Sequence, residues 1–191
     1  MPTKESVVGT ISSVAFDSGD QFVVGCWKQT PVGPFTDVMW LDADNNRALL
    51  ASSKEAADYI TTIYEFDRVE VVEFAANAGR RTTAVVAGDF ELRLQGGVRR
   101  PVPIRRPRLL TQLIEAPIAR RLMGVEVYGT SPTGAREWYQ STGWSWINGA
   151  SGRHRGRDLG SMAELDRPMG VGFSNPPPRP SIVSVRVAIR R

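Results

Sequence analysis

The run Ser6-Val-Val-Gly-Thr-Ile-Ser-Ser-Val-Ala-Phe16, the cluster Asp17-Ser-Gly-Asp20 and the run Gln21-Phe-Val-Val-Gly-Cys-Trp27 together decide how this chain is read. The first run is rich in Val, Ile, Ser and Thr, residues that suit a pleated strand. The polar cluster with its glycine reverses the chain, and the second run is apolar again, so the segment is a β-hairpin. The same grammar continues outward. Pro31, Gly33 and Pro34 interrupt the chain before a short apolar run at residues 37–41, and the Asp- and Asn-rich turn at 42–46 sends residues 47–51 back antiparallel.

One helix is expected next. Ser52 or Ser53 begins it, Ser52 and Glu55 have capping-box spacing, and Ala56, Ala57, Ile60, Ile63 and Tyr64 form its apolar stripe. Strands follow at 69–75 and 81–87 around a turn at 77–79, and Phe90, Leu92 and Leu94 alternate with Asp89, Glu91 and Arg93 as in a half-buried strand. Residues 98–108 hold five arginines and three prolines and read as an extended surface loop. A second helix is expected from Leu109 to Leu122, with Pro107 near its first turn, a kink or split at Pro117 and an end at Gly124.

Strands return at 125–129 and 135–148, the latter bent near 141–143. A polar turn at 151–157 and an extended run at 175–180 precede a closing strand, where Val183, Val185, Val187 and Ile189 alternate with Ser184, Arg186, Ala188 and Arg190. The expectation is a single α+β domain over residues 1–191: a curved, mostly antiparallel sheet forming a barrel-like shell, with two or three helices.

Composition narrows the function. The chain has 191 residues, 41% apolar and 23% charged, which suits one globular core rather than disorder. No apolar run reaches the ~18 residues of a membrane-spanning helix, and the first ten residues hold no leader-like apolar stretch. With one cysteine, Cys26, no internal disulfide forms, and a cytoplasmic location is expected. One cysteine and one histidine exclude a thiolate or histidine-rich metal centre, and no cofactor motif is found. The net charge of +4 divides unevenly, −6 over residues 1–96 and +10 over residues 97–191. Packing of the two halves, or head-to-tail contacts in a homo-oligomer, would compensate it; a polyanion partner such as nucleic acid is the less favoured explanation.

Few residues offer themselves for chemistry. The glycines of Gly129-Thr-Ser-Pro-Thr-Gly134 have phosphate-loop spacing, but Ala135 and Arg136 stand where Lys and Ser or Thr are needed, so the segment is a turn. His154 lies between two arginines in a polar loop, without a carboxylate beside it, and Cys26 reads as a small buried hydrophobe. Trp138, Trp144 and Trp146 share one phase with Arg136 and Asn148, so an unbroken strand would place them on one wall, lining a ligand cavity or packing a sheet face; a break at Gly143 would disturb that register. Arg99, Arg100, Arg105, Arg106 and Arg108 form the candidate anion site, or else pair with acids such as Asp58, Glu65, Asp67 and Glu70.

The segments Gly124-Val-Glu-Val-Tyr-Gly-Thr-Ser-Pro-Thr-Gly-Ala-Arg-Glu-Trp-Tyr139 and Gly156-Arg-Asp-Leu-Gly160 resemble uncharacterised conserved proteins of arginine-rich, high-GC bacteria, which bring no function with them. More distantly, the order of elements resembles the acetoacetate decarboxylase-like fold, a curved antiparallel shell around a small-molecule cavity. That resemblance implies a cavity but not the reaction. The family's Schiff-base lysine works beside a second lysine, whereas Lys4, Lys28 and Lys54 stand apart. The resulting expectation is a small-molecule-binding protein with Trp40, Tyr128, Arg136, Trp138 and Trp146 near the cavity and Arg136 as anion anchor. Asp37 or Glu137 would serve any acid–base chemistry, although nothing in the sequence pairs them. The alternatives are a polyanion-binding adaptor using the arginine loop, or a structural module that forms oligomers.

Overall fold

Local turn chemistry builds the first half of the chain. In the computed structural model, which describes residues 4–102 and 128–190, β1 (Lys4–Phe16) and β2 (Gln21–Gln29) form the expected hairpin, with Val14 opposite Phe22. β3 (Phe35–Leu41) and β4 (Arg47–Ala51) form the second. Their turn is held by Asp42, whose Oδ1 accepts from the Asp44 and Asn46 N–H groups at 2.9 and 2.8 Å.

Helix α1 (Lys54–Thr61) is capped by Ser53, which accepts the Ala56 N–H at 3.1 Å. Ser52 instead accepts the Thr36 N–H at 3.2 Å, so the capping-box partner expected of it is not used. The helix carries the chain over to β5 (Arg68–Val71), which pairs parallel to β4, the kind of pairing that needs a crossover. β6 (Phe74–Ala78), β7 (Thr82–Ala87) and β8 (Phe90–Gly96) then run as a meander.

The remaining strands are β9 (Arg100–Pro101), β10 (Tyr128–Thr130), β11 (Arg136–His154), β12 (Arg157–Asp158), β13 (Met162–Ala163) and β14 (Ser181–Arg190). The main path of the sheet is β5-β4-β3-β2-β1-β14-β11-β8-β7-β6, with the short strands attached to β11 and β1. Its two end strands, β5 and β6, are separated in sequence only by Val72 and Glu73, so the sheet is curled into a half-barrel.

Among the described residues, the two larger of the three buried apolar clusters lie on opposite faces of the curled sheet. Phe22, Val24, Val38, Trp40, Leu92 and Ile182 belong to the one enclosed by the curl. Leu49, Ala57, Ile60, Val185 and Val187 belong to the other, which α1 covers. On β4, Ala48 and Leu50 face the first core and Leu49 and Ala51 the second. Burial of both faces explains why this strand is an unbroken apolar run. Phe22 and Leu49 are fully buried, and each contributes about 1.5–3 kcal/mol by leaving water.

Several expectations are corrected. The fold is mostly β rather than α+β with two or three helices: 58% of the described residues are in strands and 5% in the single helix α1. A long curled sheet buries its own faces, so one helix is enough to cover the second core. The helix expected from Leu109 to Leu122 lies outside the described residues. The strand expected at 69–75 breaks at Val72, whose N–H donates to Ala51 O at 3.0 Å, and becomes β5 and β6. The polar segment at 151–157 extends β11 to His154, then turns through Arg155 and Gly156, at φ 52° and 76°, into β12. Among the described residues, no helix is long and apolar enough to cross a membrane.

Candidate functional site

The most unusual chemistry lies on the sheet face covered by α1. Strand alternation aims Trp27 of β2, Asp37 and Met39 of β3, and Glu137 and Tyr139 of β11 at that face. Tyr59 and Ile60 of α1 and the following Ile63 and Tyr64 cover it. Between them is a narrow cleft with about 30 Å³ open to the centre of a water molecule, room for about two waters. Its walls are otherwise apolar, and no Lys, Arg or His lines it among the described residues.

Two carboxylates face this cleft, each 1% exposed. Asp37 Oδ1 accepts the Trp27 indole N–H at 2.7 Å, while Oδ2 is buried with no hydrogen-bond partner. Burial pushes the Asp37 carboxyl up to about 7, opposed by the Trp27 bond. The pair needs glycine at position 25: a Cβ there would collide with both Asp37 Oδ1 and Trp27 Nε1.

Glu137 Oε2 accepts the Tyr64 hydroxyl at 2.6 Å and the Tyr139 hydroxyl at 2.9 Å, and the two hydroxyls also contact each other. Three oxygens in mutual contact need three protons to fill every bond, and two phenols supply only two. A proton on Glu137 Oε2 would fill the third, with Oε2 then donating to one hydroxyl and accepting from the other. Burial raises the Glu137 carboxyl, against the opposing effect of the hydrogen bonds from Tyr64 and Tyr139 and of the nearby Ser131 hydroxyl, whose own proton goes to Ala135 O at 2.9 Å. Both tyrosines are raised well above the ordinary phenol value, first by burial. Asp37 adds a charge effect on Tyr139, so its carboxylate is within electrostatic reach of the ring. Glu137 Oε1, like Asp37 Oδ2, is buried without a partner.

The residues expected to line a cavity do not converge. Trp40 belongs to the enclosed core, donates its indole N–H to Asp20 Oδ1 at 2.7 Å and packs edge-on against Phe90. Tyr128 and Trp138 form a cross-strand pair, centroids 5.2 Å apart, with exposed Arg136 two residues along. Trp146 packs edge-on against Trp144 at 4.7 Å. The register of β11 on β14 shifts between Ser141 and Gly143, so Trp138 lies opposite Ala188 while Trp144 lies opposite Val183. Odd and even β14 positions face opposite sides, and the single wall of tryptophans is therefore not formed.

Of the arginine group, Arg99 covers Gly143 and donates to Ser184 Oγ at 3.2 Å, and Arg100 lies 4.7 Å over the Trp144 ring. Arg105, Arg106 and Arg108 lie outside the described residues. Three of the acids suggested as their partners are engaged elsewhere: Asp58 by Lys54 at 2.7 Å, Asp67 by Arg47 at 2.6 Å and Glu70 by Arg68 at 2.8 Å. His154 stacks on Phe90 at 4.0 Å, and burial followed by the Arg155 charge lowers its pKa. Its setting is aromatic rather than the solvated loop expected of it.

Sequence reasoning named Asp37 and Glu137 but missed Trp27, Tyr64 and Tyr139. The available signal was phase: Asp37 lies between Phe35 and Met39, and Glu137 beside Tyr139, on faces that are otherwise apolar. Comparison with protein-family models, curated proteins and solved structures finds no match.

Proposed function

We propose that the protein binds a small organic molecule in the cleft between α1 and the curled sheet. The reading is carried by one observation: two carboxyl groups, each 1% exposed, line an apolar cleft, and each keeps one oxygen without a hydrogen-bond partner. Buried polar atoms almost always have partners, and leaving one without costs about 1–3 kcal/mol. A ligand with hydrogen-bond donors would satisfy both oxygens, while the apolar walls would hold its carbon skeleton. The acid–base chemistry expected of Asp37 and Glu137 would draw on the same two groups.

Native mass spectrometry of freshly purified protein tests this. The reading expects a discrete adduct of small-molecule mass, lost in Asp37→Asn. A chain that carries no adduct and takes up no member of a library of small alcohols, amines and acids would overturn it.

A second reading, contact with polyanions, is favoured by exposed Arg100 and Arg179, held 4.7 and 5.0 Å over the rings of Trp144 and Trp146. Such contact would weaken steeply with added salt, and retention on heparin that does not fall with salt would exclude it.

A further inference from the structure

We propose, resting on the ligand-binding reading above, that the occupant of the cleft is a small protonated primary amine. The two free oxygens, Asp37 Oδ2 and Glu137 Oε1, are acceptors, so the ligand must bring donors rather than acceptors. No cationic side chain lines the cleft among the described residues, so nothing there would hold an anion, and the acidic groups would repel one.

The charge count agrees. Two acidic side chains and no basic one line the cleft among the described residues, so the charge that an ionised carboxyl carries there is left to be balanced. One ammonium group would balance that charge, and it carries three N–H donors, more than the two free oxygens need. The walls fit the same guest: Trp27, Phe35, Tyr59, Tyr64 and Tyr139 all face the cleft, and aromatic faces attract cations. The small space limits the guest to a few carbon atoms.

Three probes of one size and different charge separate the inference from the reading beneath it: propylamine, 1-propanol and propionate, each titrated into the full chain at about pH 8. Protein NMR of the Trp27 indole N–H, which donates to Asp37, reports binding at the cleft itself. The expected result is that propylammonium binds about tenfold more tightly than 1-propanol, that propionate does not bind, and that Asp37→Asn brings the amine to the level of the alcohol. Equal or tighter binding of the alcohol, or preference for propionate, would overturn the amine while leaving a ligand-binding cleft. If none of the three moves the Trp27 signal, both proposals fall. The wild-type series alone decides the matter if Asp37→Asn does not fold.

Discussion

Replacing Asp37 with asparagine should make the protein more resistant to alkaline conditions. In the folded chain the Asp37 carboxyl titrates at about 7, against 3.8 for the ordinary group, because burial disfavours its charge. The folded state therefore binds the Asp37 proton more tightly than the unfolded state does. That contribution to stability is fully present below about pH 4 and is lost as pH rises through about 7. The difference of about three pKa units corresponds to roughly 4 kcal/mol over the whole window, of which about 2–3 kcal/mol falls between about pH 5 and pH 8. Asparagine keeps an oxygen for the Trp27 indole and places an N–H₂ where protonated Asp37 would carry its hydroxyl, so it resembles the low-pH form at every pH. Urea unfolding of both proteins, followed by tryptophan fluorescence across this range, measures the difference. The stability of Asp37→Asn relative to wild type should rise with pH and level off above about 8. Parallel pH profiles would refute the argument, because they would mean that Asp37 titrates alike in the folded and unfolded chains.

Three other outcomes follow from the same geometry. Gly25→Ala should destabilise the protein by about 1–3 kcal/mol in urea unfolding, since the added methyl collides with the Asp37–Trp27 pair. The Cys26 thiol, buried and pushed up to about 11 mainly by burial, should resist a thiol reagent at about pH 8 and react quickly once the chain is unfolded in urea. Arg167 donates to Asp42 O at 3.1 Å, Asn45 Oδ1 at 2.8 Å and Gly19 O, tying together the turns of the first two hairpins. Arg167→Ala should therefore lower stability by about 1.5–3 kcal/mol in the same assay.

What could be read from the sequence was local. The β1–β2 and β3–β4 hairpins follow from turn residues a few positions from their strands, and the helix start follows from a serine next to an apolar stripe. The tryptophan row failed for a reason internal to one strand. A register shift beside Gly143, with Arg99 lying over that glycine, exchanges the faces of Trp138 and Trp144. Strand alternation holds only as far as the next bulge. The cleft was illegible for a longer-range reason. Asp37 on β3 and Glu137 on β11 reach it only because β2, β1 and β14 lie between those strands and the sheet curls beneath α1. Those pairings join segments from opposite ends of the chain, and no spacing in the sequence records them.

The proposed site differs from the expected anion anchor in kind as well as in place. Arg136 is exposed at the start of β11, whereas its neighbour Glu137 is buried in the cleft. One step along a strand changes the face, and here it exchanges a basic side chain in water for an acidic one in the cleft. Within a chain of net charge +4, the enclosed polar site is acidic.

The most direct test of the account is a crystal structure of the protein as purified, at a resolution that distinguishes ordered water from an organic ligand. The account predicts continuous non-protein density beneath α1, with donor atoms within hydrogen-bond distance of Asp37 Oδ2 and Glu137 Oε1. A cleft filled only by discrete waters, unchanged when crystals are soaked in propylamine, would contradict it.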